Sequence, residues 1–319
     1  MANTPHVQSL IEATDLACHF RSIRAVDGVT FSVRRGEVMG FLGPNGAGKS
    51  TTMRMITGYL RPTSGAVSVC GWDIQTDPVK AKRRLGYLPE GAPLYGDMTT
   101  GDFLHFVATA RGLTGADRKR GIDFVMGELS LSEVIHQKVE TLSKGLKRRV
   151  GLAQALVHDP DVVILDEPTD GLDPNQRHQV RELIRRLGRE KAIIISTHLL
   201  EEVDAVCSRA IVVKRGRIVA AGTPSELHAQ ARDYNAVVLS VHRRDIDRLK
   251  ETLTVLENVE AVEIGRDTGE WVTVTAIPRK GSIIADAVGA AIREHGLDVR
   301  EFQISVGGLD AVFQRLTTS

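Results

Sequence analysis

Three cysteines in 319 residues, Cys18, Cys70 and Cys207, are too few and too widely spaced for a disulfide framework. None belongs to a C-x-x-C pair, so zinc-type spacing is missing too, and the three read as small core residues in a reducing compartment. Neither sign of charge is in excess: 41 Lys and Arg stand against 40 Asp and Glu, a formal +1. That balance removes any general reason to expect nucleic acid or a membrane surface as partner. No like-charge block, internal repeat or low-complexity stretch occurs. No apolar run approaches the roughly 20 residues of a membrane span, and residues 1–15, with Glu12 and Asp15, lack the apolar stretch of a signal peptide. The chain is therefore expected to be cytosolic. Its length admits one large or two modest domains, each able to bury a sizeable core, and a composition change after Gly222-Thr223-Pro224 favours two.

What is present centres on Gly43-Pro44-Asn45-Gly46-Ala47-Gly48-Lys49-Ser50-Thr51. This stretch fits G-x-x-x-x-G-K-[ST] and lies between an apolar strand, Val38 to Leu42, and a helix beginning near Lys49. Glycines there let backbone N–H groups converge on phosphate oxygens at a helix N-terminus, whose dipole favours negative charge. Lys49 is placed to reach the β- and γ-phosphates, and the Ser50 hydroxyl to ligate magnesium. A tight strand-to-helix turn of no further purpose is the plain alternative, and four fixed positions in the right context weigh against it.

Around this loop the pattern is that of an α/β P-loop NTPase. Leu16 to Phe20 and Val29 to Val33 read as antiparallel strands separated by turn residues, including Asp27-Gly28 and Arg35-Gly36. Phe20 could stack on an adenine or simply pack. The helix after the loop is expected over 49–59, strands over 66–70 and 85–89, and Glu90 follows the proline stop at Pro89. From about 99 to 157 the pattern turns helical, an insertion whose first helix starts at Thr99 or Thr100 and buries Phe103, Leu104, Phe106 and Val107. Inside it, Leu142-Ser143-Lys144-Gly145-Leu146 opens a further helix with an apolar face at Leu146, Val150, Ala153 and Val157, a second N-terminus available to an anion.

Asp161 to Leu165 reads as a buried parallel strand ending in Asp166-Glu167. Carboxylates at the carboxyl edge of an α/β sheet stand where such sheets bind ligands. Asp166 suits a magnesium ligand acting through water, and Glu167 a group that polarises the attacking water. Another buried strand, Ala192 to Ser196, brings His198 to the same edge, within reach of a terminal phosphate. Segments 211–214 and 217–220 form a hairpin. Beyond it, the order strand, helix, strand, strand, helix, strand over 232–319 predicts a small ferredoxin-like α+β domain ending in an amphipathic helix, Leu309 to Leu316.

Taken together, these motifs closely resemble the ATP-binding subunit of ATP-binding cassette (ABC) transporters over the first two-thirds of the chain. The resemblance implies a cassette over 1–228 with ATP and Mg2+ as ligands, and an accessory or regulatory domain over 232–319. It places Phe20 against adenine, Glu90 where the family commonly has a glutamine that senses magnesium and the membrane subunit, and His198 as the switch histidine. Ser143, Lys144 and Gly145 fall on the family signature, usually Leu-Ser-Gly-Gly-Gln, from which Lys144 and Leu146 depart. Asp173, within Asp170-Gly171-Leu172-Asp173, matches a loop that crosses to a partner. With one phosphate loop and one signature, a second ATP-binding subunit must complete the site, and a separate integral membrane permease must carry the cargo, keeping this chain peripheral on the inner membrane face. Leu309, Asp310, Val312 and Phe313 resemble the ending of bacterial drug-export and gliding-motility-type ATPases. Two rivals remain: a nucleotide-gated regulatory protein with little turnover, and a mechanical cassette ATPase, which normally shows two cassettes or a coiled-coil insertion.

Overall fold

The computed structural model describes residues 9–318; residues 1–8, part of the segment read for a signal peptide, and residue 319 lie outside them. The chain divides after Pro224 into two compact units.

The first unit runs β1 (Ser9–Phe20), β2 (Ile23–Arg34), β3 (Val38–Leu42), α1 (Lys49–Ile56), β4 (Ser64–Val69), β5 (Trp72–Asp73), α2 (Pro78–Arg83) and β6 (Leu85–Leu88). It continues through α3 (Thr100–Ala110), α4 (Gly115–Glu128), α5 (Lys144–Leu156), β7 (Val162–Asp166), α6 (Pro174–Leu187), β8 (Ala192–Thr197), α7 (Leu200–Val206), β9 (Arg209–Lys214) and β10 (Arg217–Gly222). Six strands form one sheet in the order β10-β9-β3-β8-β7-β6. Strands β6, β7, β8, β3 and β9 are parallel neighbours, and every residue of β3, β6, β7 and β8 is buried. Continuous apolar runs such as Ala192-Ile193-Ile194-Ile195 suit strands covered on both faces.

A second, antiparallel sheet has the order β2-β1-β4-β5. Its inner residues Ile11, Leu16, Val26 and Val33 share one core with Met39, Phe41, Ile164 and Ile194 of the large sheet. Phe31 and Phe41 join the two sheets edge to face, with ring centres 4.9 Å apart.

Three expectations need correction. Asp27-Gly28 is not a turn between strands: it lies inside β2, where Gly28, at φ +73°, sits in an irregularity of the pairing with β1, and the chain reverses instead at Arg21-Ser22. Helix α1 ends at Ile56 rather than Tyr59, because Gly58 takes a left-handed φ of +67° and closes the C-terminus. In α3, Thr99 caps the helix by accepting a hydrogen bond from the Asp102 N–H at 3.1 Å, and Phe103, Leu104 and Val107 are buried. Phe106, however, is 45 % exposed, with its ring edge-on to Tyr95.

The second unit contains α8 (Pro224–His228, beginning at the division), β11 (Val237–His242), α9 (Ile246–Thr254), β12 (Val259–Asp267), β13 (Trp271–Pro278), α10 (Ala285–Glu294), β14 (Val299–Ile304) and α11 (Leu309–Thr318). The antiparallel order β12-β13-β11-β14 is that of a ferredoxin-like sheet. Alternate residues Val237, Leu239 and Val241 face Leu249, Leu253 and Val288 in a core of its own. Among the described residues, no helix is long and apolar enough to cross a membrane.

Candidate nucleotide site

Because β6, β7, β8 and β3 run parallel, their carboxyl ends deliver four loops to one edge of the sheet. These carry Glu90, Asp166-Glu167, His198 and the 43–51 loop. A cleft of about 500 Å³ opens there, lined by Phe20, Ala25, residues 45–51, Glu90 and Glu167.

The 43–51 loop is shaped by contacts that only glycine permits. Gly48 has φ +107°, and a Cβ on it would stand 2.4 Å from the Ala25 carbonyl oxygen; one on Gly43 would stand 2.5 Å from that of Val213. Lys49 is 7 % exposed, and its ammonium turns back over the loop to donate to the carbonyls of Gly43 at 2.7 Å and Pro44 at 3.3 Å. Burial pushes this ammonium below its ordinary value, while the carboxylates of Glu167, Asp166 and Glu90 pull it back.

Asp166 is buried at the end of β7 and accepts from the hydroxyls of Ser50, at 3.3 Å, and Ser196. Glu167 holds a left-handed φ of +52°, and its N–H donates to the Ser196 carbonyl at 3.0 Å. That turn throws its side chain to the cleft, where Oε2 meets His198 Nδ1 at 2.9 Å. Burial raises the Glu167 carboxyl above the usual range; His198 and Lys49 partly oppose this.

Not every residue expected at the site lies in this cleft. Gly43, Pro44, Asp166 and His198 do not line it but hydrogen-bond to Lys49, Ser50 and Glu167, which do; Ser143, Lys144, Gly145 and Asp173 do not line it either. Ser143 caps α5, its Oγ accepting from the Leu146 N–H at 3.2 Å, and Asp173 caps α6, accepting from the Gln176 N–H at 2.9 Å. Gly145 packs so tightly on Gln176 that a Cβ would meet its Oε1 at 2.5 Å.

A family model described as ABC transporter matches residues 26–170. The chain is 39 % identical over 216 residues to the uncharacterized ABC transporter ATP-binding protein YhcH of Bacillus subtilis, covering 67 % of this chain and 70 % of that one. It is 34 % identical over 294 residues to the Nod factor export ATP-binding protein I of Ralstonia nicotianae, 92 % of this chain and 88 % of the relative. This chain belongs to the ATP-binding subunits of ABC transporters. Among solved structures, an ATP binding subunit of an ABC transporter superposes with a TM-score of 0.66 at 33 % identity, covering 70 % of this chain and 93 % of that one.

The ABC subunit also contains a residue that sequence reasoning missed. Arg148 of α5 is buried, and its guanidinium donates to the carbonyls of Pro89 at 3.1 Å, Glu90 at 2.8 Å and Pro168 at 3.4 Å, as well as to those of Asp166 and Glu167. One side chain thus ties the Glu90 loop, the acidic strand end and α5 together. In the sequence it sits inside Lys147-Arg148-Arg149, where nothing sets the middle cation apart from its neighbours. Thr169 and Glu202 were missed likewise: both are buried, and the Thr169 hydroxyl donates to Glu202 Oε1, stitching the loop after β7 to α7.

No group of three or more His, Cys, Asp or Glu able to hold a metal occurs among the described residues. The oxygen pair of Ser50 and Asp166 fits magnesium, which takes one or two protein oxygens and fills its octahedron with water and phosphate. The ABC subunit is an ATPase, and the cleft over the 43–51 loop is its candidate nucleotide site.

Proposed function

We propose that this subunit powers an exporter by binding Mg-ATP between two copies of itself and hydrolysing it. One observation carries the reading: Lys49, Ser50, Asp166, Glu167 and His198 meet at one sheet edge, while Ser143 to Gly145 and Asp173 lie off that cleft. A head-to-tail partner would bring its own α5 N-terminus to the open side. Lys49 would neutralise γ-phosphate charge, the phosphate-loop N–H groups would cradle the β-phosphate, and Phe20, 48 % exposed at the end of β1, would stack on adenine. Ser50 and Asp166, with Glu90 at the rim of the cleft, would hold magnesium, which would supply further charge neutralisation. Glu167 would orient the attacking water, and His198 would hold Glu167 and the terminal phosphate in register.

The export direction is suggested by relatives such as the Nod factor export protein. A cleft of about 400 Å³ beside Glu90, lined by Gly91, Ala92, Leu94 and Glu140 among others, offers a place for a membrane permease to dock, which would hold the subunit at the inner face of the membrane. Residues 232–319 would act as an accessory or regulatory domain. The test is sedimentation of a Glu167→Gln variant with Mg-ATP: it is expected to pair and retain nucleotide, whereas monomer at micromolar concentration would reject the pairing.

A further inference from the structure

Glu167 stands in a left-handed backbone conformation, φ +52°, which a residue with a long side chain keeps only where its surroundings fix it. Its N–H side is fixed by β8, donating to the Ser196 carbonyl at 3.0 Å. Its carbonyl accepts from the Asp170 N–H at 3.1 Å, which closes the turn, and from the guanidinium of Arg148. The conformation that sends a carboxylate into the phosphate cleft is therefore set partly from behind, by a side chain that does not line that cleft.

A guanidinium suits this task because it is planar, carries five donors in a fixed fork and keeps its charge when buried. Nη1 donates to the carbonyls of Pro89 at 3.1 Å and Glu90 at 2.8 Å, Nη2 to those of Asp166 and Glu167, and Nε to that of Pro168 at 3.4 Å. The pairing of β6 with β7 runs only as far as Leu88 and Leu165, so the fork takes over where the strand ladder ends. Burial draws the guanidinium below its ordinary value, and the carboxylates of Asp170, Asp166, Glu167 and Glu90 draw it back. On its open side Arg148 borders the separate cleft beside Glu90.

We infer that Arg148 is a positioning residue for hydrolysis: anchored on the carbonyls of 89–90, its fork holds the Glu167 backbone in the turn that aims the carboxylate at the attacking water. The inference rests on the water-orienting role proposed above for Glu167. Without the fork, that turn would relax towards ordinary backbone angles and the carboxylate would swing off line, while Lys49, Ser50 and the loop N–H groups went on binding nucleotide. A misplacement of about 1 Å can cost on the order of a hundredfold in rate. A purely architectural Arg148 predicts the contrary: its variants lose stability, and the molecules that stay folded turn over at the parental rate.

The test compares kcat, KM for Mg-ATP, nucleotide retention and urea melts for the full chain and its Arg148→Lys and Arg148→Ala variants, with each rate expressed per folded molecule. Arg148→Lys keeps the charge, but one ammonium in place of the fork cannot serve both segments. Its kcat should fall on the order of tenfold, with KM within about twofold of the parent. Arg148→Ala should lose on the order of a hundredfold in kcat and still retain Mg-ATP. The space it vacates opens on the cleft beside Glu90, so millimolar methylguanidinium should enter and restore part of the rate, leaving the parent and Glu167→Gln unchanged. Parental kcat in both variants, or a loss of turnover that only tracks the unfolded fraction, would overturn the positioning role alone. So would an Arg148→Ala rate that methylguanidinium cannot raise. Near-normal turnover by Glu167→Gln would overturn the role of Glu167 and this inference with it.

Discussion

Glu167 concentrates several conflicting demands in one side chain. It is mostly buried, held in a left-handed backbone conformation, and tied to His198. Because burial raises its pKa above that of the unfolded chain, ionisation costs the folded state stability. That cost is absent below the ordinary carboxylate value of 4.5 and grows as pH rises through the folded pKa. Two outcomes follow. The acid limb of the kcat–pH profile should lie above pH 4.5, and Glu167→Gln should abolish turnover while leaving Mg-ATP retention intact and stability at neutral pH equal or higher. Phosphate release, nucleotide filter binding and urea denaturation check these in turn; near-normal hydrolysis by the variant would remove Glu167 from its proposed role. Lys49→Ala should differ by losing retention as well as turnover, since its ammonium is the buried positive charge closest to the loop carbonyls.

At the scale of elements, much of the architecture was legible because strand and helix periods differ. The runs ending at Leu42, Asp166 and Thr197 announced buried parallel strands, and with them the edge on which the chemistry gathers. The ferredoxin-like domain was readable from the order strand, helix, strand, strand, helix, strand after the composition change. What stayed hidden was whatever depended on tertiary neighbours. Phe106 sits among apolar residues at near-helical spacing yet faces outward, and Arg148 looks like surface charge yet is enclosed by the carbonyls of two segments, 89–90 and 166–168.

That enclosure predicts a large effect. Arg148→Ala would leave the buried carbonyls of Asp166 and Pro168 and the half-buried ones of Pro89, Glu90 and Glu167 without their donor and should destabilise the first unit by roughly 3 kcal/mol in urea titrations; a change within noise would contradict the contacts. His158, at the end of α5, offers a second test. Burial, aided by Arg111, pushes its imidazole down to about 4, while Nε2 meets the Leu85 carbonyl at 3.1 Å. A depressed folded pKa gives stability present above pH 6.5 and lost as pH falls toward 4, on the order of 3 kcal/mol at full loss. His158→Gln should flatten that slope.

For the whole molecule, two separate cores predict two separable melts. A fragment beginning at Ser225 should unfold cooperatively by itself, and a chain ending at Pro224 should still retain Mg-ATP, because all residues lining the phosphate cleft precede that point. Circular dichroism of the two fragments tests this; a fragment with no cooperative transition would show that the division is not energetic.

The placement of the α5 N-terminus away from the phosphate cleft of its own chain has a genetic corollary. If catalytic centres are assembled from halves of different molecules, lesions in different halves need not be equally fatal when mixed. A chain crippled at Lys49 and another crippled at Gly145 would each be silent alone. Co-expressed, they would form mixed assemblies in which one centre inherits both defects and the other neither. Complementation between two dead alleles, read as recovered phosphate release, is therefore the signature to look for.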